Sequence, residues 1–236
     1  MKARAALLFS IAAAWAAGAQ GALAPDAIVE NYCAASRSEA QLLQGASMDV
    51  EIAASLPKLQ KQGKLHALRR ISALGKITYE KLKFDGDSTV KSQVIGRYLS
   101  AEAEAQSGES SSLAVIPANY KFKYKGHGVA DGREAHIFQV TPRKKGPGLF
   151  QGEIWIDAAT YLRVRESGYL VKTTSVFVKR IDFVRKYAIR NGVSAPLQVK
   201  SVVVTRLAGT AELTIDYSNF SVPALSRDGA ADASLQ

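Results

Sequence analysis

The chain has 236 residues, of which 47% are hydrophobic and 22% are charged, the proportions of an ordinary globular protein that can bury a sizeable core. The single cysteine, Cys33, excludes an intrachain disulfide. The net charge of +10 would suit anionic lipid headgroups, an acidic partner or nucleic acid, but the basic residues form no compact basic helix, which disfavours nucleic acid.

Residues 1–21 have the layout of a secretory signal peptide. Lys2 and Arg4 form a basic start, an apolar run continues to Ala17, and small residues surround the cleavage position that we expect after Gly21. A retained membrane anchor is the alternative, although the run is shorter than the ~20 residues of a spanning helix. Without Lys2 and Arg4, 29 basic residues face 21 acidic ones. We therefore expect an exported, periplasmic protein.

The first part of the mature chain predicts a helix followed by a strand meander. Apolar residues recur at helical spacing over residues 26–44. Alternating or β-branched segments then run over 48–56, 65–74 and 77–84, and the three are expected to pair in sequence. In the last of them, Tyr79, Leu82 and Phe84 mark the apolar side imperfectly.

A second amphipathic helix is predicted to begin at Asp87, whose carboxylate is suited to capping it. Val90, Val94, Ile95 and Tyr98 fall on one face of this helix. From Glu102 to Ser112 the chain is rich in Ala, Glu, Ser and Gly, and we expect a surface loop there.

After Pro117 the sequence is typical of consecutive antiparallel strands. Tyr120 to Tyr124 shows the clearest two-residue period, with lysines at 121, 123 and 125 on the alternate face. That lysine face is expected to be solvated; a docking surface for an acidic partner or anionic lipid is the alternative. Residues 131–171 hold three strands, and later strands are expected within Tyr169–Val171, Val176–Phe183, Tyr187–Ile189, Leu197–Leu207 and Ala211–Phe220.

Turn residues and alternation assign the faces of these strands. Asn191-Gly192 is a strong hairpin signal, because both residues tolerate positive φ. Arg163 and Arg165 are expected to point outward, and the basic turn Pro142–Gly148 to form a rim loop. We expect one domain over residues 22–225 and a disordered tail over 226–236.

The predicted fold class is mainly β (α+β). A strongly curved antiparallel half-barrel, with the two helices forming a lid, would bury both sets of apolar faces and leave an apolar cavity between them. Plain core packing is the alternative for every candidate cavity residue. The candidates are Val90, Val94, Tyr98, Phe138, Val140, Ile154, Ile156, Leu162, Val164, Val202, Val204, Leu213, Ile215 and Tyr217.

Three patterns that could indicate catalysis or metal binding lack the necessary context. Asp85–Thr89 matches the DxDxT pattern of haloacid-dehalogenase-type phosphatases, but no βαβ rhythm surrounds it, so a turn that caps a helix is the simpler interpretation. Ser55–Lys58 matches SxxK, with Pro57 badly placed for a helix start. The three histidines have no metal-ligand spacing. We therefore expect no catalytic residue, metal or cofactor.

Several motifs resemble the superfamily of the periplasmic lipoprotein carrier LolA, the outer-membrane lipoprotein-sorting proteins and the lipid-sensing domain of RseB. These are Asp131-Gly132-Arg133, Val140-Thr141-Pro142, Trp155-Ile156-Asp157 with Ala159-Thr160 and Leu162-Arg163, and the late segment Leu213–Phe220. The resemblance implies a half-open barrel with a cavity for acyl chains and transfers no catalytic residue. The arginine that the lipoprotein carrier uses near its lid has no counterpart here.

These features together indicate a non-enzymatic, exported protein that binds a lipid or a lipid-modified protein, with a role in outer-membrane lipoprotein sorting as one form of that function. The alternative is an envelope sensor that regulates an inner- or outer-membrane protein partner through the same fold.

Overall fold

Ten antiparallel strands and two helices form the part of the chain that the computed structural model describes, residues 23–107, 112–173, 178–206 and 209–222. The strands are β1 (Ser47–Leu56), β2 (Lys61–Ile71), β3 (Ile77–Gly86), β4 (Tyr120–Ala130), β5 (Arg133–Pro142), β6 (Phe150–Asp157), β7 (Arg163–Leu170), β8 (Val178–Arg190), β9 (Val193–Thr205) and β10 (Thr210–Ser221). Helix α1 is Pro25–Leu42. The second helix consists of α2 (Ser88–Val90), a π-helical turn (Lys91–Ile95) and α3 (Gly96–Ser107).

All ten strands belong to one open sheet, in the order β3-β2-β1-β10-β9-β8-β7-β6-β5-β4. Neighbours in the sheet are also consecutive in sequence except at β1 and β10, which pair from Ser47↔Ser221 to Ser55↔Glu212. This pair joins the first meander to the last strand. β3 and β4 are the two edges, so the sheet does not close. The mainly antiparallel β class is confirmed.

Two tight hairpin turns have similar geometry, and one of them is the turn predicted at Asn191-Gly192. Asp131 and Gly132 adopt φ values of 48° and 81°, and Asn191 and Gly192 adopt 52° and 77°. Two successive residues with positive φ match the right-handed twist of the flanking strands. Each turn joins consecutive strands, β4 to β5 and β8 to β9.

Helix α1 covers one part of the sheet. Ile28, Val29 and Tyr32 of the helix pack on strands β4, β5, β6 and β8. We call the sheet face that α1 and the second helix cover the helix face. The cluster beneath α1 also contains Val115, Tyr120, Phe138, Val140, Leu149, Phe150, Ile154, Ile156 and Phe183.

The second helix covers another part of the helix face. Val90 and Ile95 are almost fully buried against strands β1, β2 and β10. The strand residues of this cluster are Met48, Val50, Ile52, Ala54, Leu56, Leu65, Ala211, Leu213 and Ile215. The two helices therefore sit on separate apolar cores.

The surface loop predicted over Glu102–Ser112 is wrong in its first part, because the second helix runs on to Ser107. Alanine and glutamate favour helix, and Glu102 forms an ion pair that fixes the helix to the sheet. The expected signal peptide and C-terminal tail lie outside the described residues.

A β-bulge in β7 makes the predicted orientation of two residues wrong. Ile156 pairs with Arg163 and Trp155 pairs with Arg165, which leaves Val164 as the extra residue. Directly paired residues share a face, so Arg163 lies on the helix face with Ile156. Val164 is buried instead in a small cluster with Trp155 on the other face. Arg165 points outward, as predicted, with its guanidinium 5.4 Å from the Trp155 ring centre.

The predicted orientation of β9 is also wrong. Val203 pairs with Ala211 and packs in the cluster beneath the second helix. Val202 and Val204 therefore lie on the opposite face, where Val202 is 42% exposed. The run Val202–Val204 is apolar at every position, so alternation within it could not indicate a face.

The Asn191-Gly192 turn gives a first test of the fold. Gly192→Ala should lower the free energy of unfolding by about 1 kcal/mol, because an L side chain disfavours positive φ even where, as here, no heavy atom lies within 4 Å of the added Cβ. Asn191→Gly is the matched control and should be neutral or slightly stabilising. Urea denaturation of both variants measures the difference, and equal midpoints would contradict the turn geometry.

Candidate functional site

A half-open apolar groove of about 300 Å³ lies between the second helix and strands β2 and β3. One of its walls is β3, which is an edge strand of the described sheet. The lining residues are Leu65, Leu82, Phe84, Lys91, Ile95, Gly96 and Leu99. An apolar space of this size is at the lower end of the ligand-pocket range, roughly 300–1,000 Å³.

Two local irregularities position the lining of the groove. In the helix, the Gly96 amide donates to the Lys91 carbonyl, which is the hydrogen bond of a π-helical turn. In the sheet, Lys81 and Leu82 together oppose Ala67 in a β-bulge, with Lys81 at φ 52°. Leu82 remains 56% exposed at the mouth of the groove.

Polar contacts at its beginning hold the second helix to the sheet. The Asp87 carboxylate accepts from the Thr89 amide at 2.7 Å and lies 3.3 Å from the Lys61 ammonium. The hydrogen bonds from Thr89 and the charge of Lys61 hold the pKa of Asp87 below its usual value. The cap predicted at Asp87 is confirmed.

A second set of contacts holds the helix one turn beyond the groove. Glu102 forms an ion pair with Arg69 of β2 at 3.1 Å and accepts from the Tyr79 hydroxyl of β3. Burial, reinforced by the charge of Glu102, raises the pKa of Tyr79. Polar contacts on both sides of the groove thus fix the helix that covers it.

A buried polar network occupies the helix face between the two apolar cores. The Glu166 side chain is 2% exposed, accepts from the Tyr187 hydroxyl at 2.9 Å and from Arg185 at 3.2 Å, and lies 3.7 Å from Arg163. Arg163 also lies 3.7 Å from Glu39 of α1. The side chains of Arg163 and Arg185 remain 31% and 39% exposed, so water reaches this strip.

The two carboxylates of the network have opposite pKa shifts. Burial alone would raise the pKa of Glu166, but Arg163, Arg185 and the hydrogen bonds to its carboxylate hold it below the usual value. Burial raises the pKa of Glu39, and the charge of Arg163 with the Ser194 amide, 2.6 Å away, opposes this only in part. Glu166 is therefore the carboxylate whose charge the fold stabilises.

The predicted cavity residues are divided between the apolar clusters. Phe138, Val140, Ile154 and Ile156 lie beneath α1, and Val90, Val94, Tyr98, Leu213, Ile215 and Tyr217 lie in the second-helix cluster. Leu162 is also buried. None of the fourteen residues is among those that line the groove, and ligand contact by any of them stays a prediction. The same holds for a wider apolar cavity beneath both helices.

The sequence prediction included none of the groove residues among its cavity candidates. It placed Ile95 on the apolar face of the second helix and identified Leu82 and Phe84 as part of an imperfect apolar side of their strand. The bulge at Lys81 interrupts the alternation of β3 and accounts for that imperfect pattern. Lys91, Ile95 and Leu99 recur every four residues and could have been found as a helical stripe.

A second recess, of about 430 Å³, lies between the β4–β5 turn and the corner after β6. Asp157, one of its three charged residues, accepts from Arg133 at 2.7 Å and from the Thr160 amide at 2.8 Å. Burial opposes these contacts, but they hold the pKa of Asp157 below its usual value. Asp157 therefore stabilises the corner, and its acceptor capacity is used within the fold.

The rival motifs occupy structural positions. Ser55 lies in β1, followed by a short 3₁₀ turn over Pro57–Leu59, so no helix presents it as a nucleophile. His136 is buried at the centre of a ring cluster, with His127 at 4.8 Å and Tyr124 at 6.2 Å between centroids. Over the described ranges, no group of three or more His, Cys, Asp or Glu side chains could hold a metal ion.

The alternation at Tyr120–Lys125 is confirmed. Phe122 and Tyr124 pack against the α1 cluster, while the lysines at 121, 123 and 125 are exposed on the edge strand.

Among the helices that the structure describes, none is both long and apolar enough to cross a membrane.

No family model and no curated protein matches this chain. A DUF1329 family protein from Desulfovibrio piger is 13% identical and aligns over 83% of this chain and 93% of its own, with a TM-score of 0.42. A LolA superfamily protein from Nitrosomonas europaea is 10% identical over 85% and 94%, with a TM-score of 0.37.

A third solved structure is a domain described as an outer membrane lipoprotein-sorting protein, from Vibrio parahaemolyticus. It is 11% identical over 83% of this chain and 92% of its own, with a TM-score of 0.36. The names of the second and third structures are those of the superfamily that the sequence motifs resemble.

Glu166→Gln tests the polar network. The variant should lose about 3 kcal/mol of unfolding free energy at neutral pH, because two arginines lose their buried carboxylate. Since the pKa of Glu166 is lowered in the folded state, its contribution is present above its unfolded-state pKa and is lost as pH falls through the folded-state pKa.

Urea midpoints measured from pH 7 down to pH 3 should therefore fall less steeply in Glu166→Gln than in the unmodified protein. Glu212→Gln, an exposed carboxylate on β10, is the matched control and should preserve the slope. Identical acid profiles for Glu166→Gln and the unmodified protein would contradict the assigned role of Glu166.

Proposed function

We propose that this protein is an exported lipid-binding carrier that holds an acyl chain of a lipid or of a lipid-modified protein. The observation that carries the proposal is the half-open apolar groove beneath the second helix. Five of its seven lining residues are aliphatic or aromatic, including Leu65 and Phe84 from the sheet and Leu99 from the helix. An acyl chain, which offers only apolar methylene groups, could pack against these residues.

The size of the groove suits a single chain. Each buried methylene contributes roughly 0.8 kcal/mol, so about ten give the ~8 kcal/mol of micromolar binding before the cost of association. The open side at β3 would let the rest of the ligand remain outside, as a chain attached to a protein requires. The groove therefore supports holding part of a lipid.

Export and partners complete the proposal. The predicted signal peptide supports export to the periplasm, where lipid-modified proteins cross an aqueous space and need their chains shielded from water. Delivery to or from an inner- or outer-membrane protein would follow from that role. Outer-membrane lipoprotein sorting is the specific form that we propose.

Leu82→Asp tests the groove. A carboxylate at its mouth should weaken uptake of a fluorescent fatty acid at least tenfold, because the chain would have to desolvate a charge to enter. Leu74→Asp is the matched control: Leu74 is 96% exposed in the β2–β3 turn and does not line the groove, so this variant should bind normally.

Titration of the signal-free protein with the probe gives the dissociation constants, and circular dichroism checks that both variants fold. Mass spectrometry of organic extracts should also detect lipid that co-purifies with the unmodified protein. No uptake of the probe and no co-purified lipid would together overturn the carrier proposal.

A further inference from the structure

We propose that the groove selects single-chain amphiphiles with an anionic head, and that the Lys91 ammonium binds this head. The inference rests on the proposed function and specifies its ligand class. It starts from a contrast within the groove, in which one lining residue is charged and the others are apolar or glycine.

Lys91 lies where the head group of a bound amphiphile would join its acyl chain. Lys91, Ile95 and Leu99 follow one another along the helix at intervals of four residues, and all three line the groove. The Lys91 ammonium lies 5.2 Å from the centre of the Phe84 ring on the opposite wall. A chain lying along Ile95 and Leu99 would therefore place its head beside Lys91.

The charge of Lys91 is not neutralised by the contacts that hold the helix. Within the described residues, the ion pairs that hold the helix on either side of the groove are Lys61 with Asp87 and Arg69 with Glu102. The Phe84 ring attracts the ammonium through its π face and leaves its N–H donors available. An anionic head group would form an ion pair with the Lys91 ammonium on the open side of the groove.

The π-helical turn is the second observation that favours this assignment. Lys91 begins the turn and Gly96 closes it, and both line the groove. π-turns are rare and are found frequently at functional sites, because the inserted residue changes which side chains share a helix face. Here the turn coincides with the segment of the helix that covers the groove.

The test compares ligands that share one chain and differ in the head. Hexadecanoate, hexadecyl phosphate and hexadecanol would each displace a neutral fluorescent probe, N-phenyl-1-naphthylamine, from the signal-free protein below their micellar concentrations. We expect the two anions to displace the probe at about fivefold lower concentration than the alcohol, the effect of one partly solvated ion pair. Added salt should reduce the difference.

In Lys91→Gln, which keeps most of the aliphatic stem, the three ligands should displace the probe at equal concentrations. Lys83→Gln is the matched control, since Lys83 precedes Phe84 on β3, is exposed, and does not line the groove. This variant should preserve the preference for anions.

The outcomes separate the two proposals. Displacement by either anion or by both, with the preference lost in Lys91→Gln, supports anion recognition, and the stronger anion identifies carboxylate or phosphate as the natural head. Equal displacement by all three ligands in the unmodified protein overturns the role of Lys91 and leaves the carrier proposal intact. Failure of all three to displace a bound probe overturns both.

Discussion

The Glu166 carboxylate is the constraint on which the arrangement of the helices depends. It is buried on the helix face of β7, between the α1 core and the second-helix core. A buried carboxylate requires cationic and hydrogen-bonding partners, which Arg163, Arg185 and Tyr187 provide. Apolar packing by either helix cannot replace them. The helices therefore remain apart, and a polar strip separates two apolar cores.

This separation decides what each helix can do. Helix α1 is joined to the strip through Glu39, which accepts from the Ser194 amide and lies near Arg163. The second helix is held to β2 and β3 by Asp87 and Glu102 on either side of the groove. The groove and the Glu166 network lie on different strands, so the proposed entry of a ligand at the β3 edge would need no change in the polar strip.

Much of the fold could be predicted from local sequence, and the exceptions have physical causes. Tyr120–Tyr124 alternates cleanly, and Asn191-Gly192 specifies its turn, because each feature depends on only a few consecutive residues. The β1–β10 pair joins residues some 170 positions apart and has no local signal. At Val164 one extra residue reverses the orientation of Arg163, and no residue type nearby indicates the bulge. The buried network escaped prediction for that reason.

The groove escaped prediction for a different reason. Alternation identifies apolar residues that become buried on folding, but a hydrophobic core and an apolar binding surface use the same residue types. The candidates chosen by alternation therefore included well-packed core positions such as Ile154 and Ile215. A groove arises where packing is incomplete, here because β3 is an edge strand and the second helix is held above it by polar contacts. Both conditions depend on tertiary structure. The exposed Leu82 beside a buried Leu65 is the residue-level sign of such a site, and only the three-dimensional arrangement brings the two together.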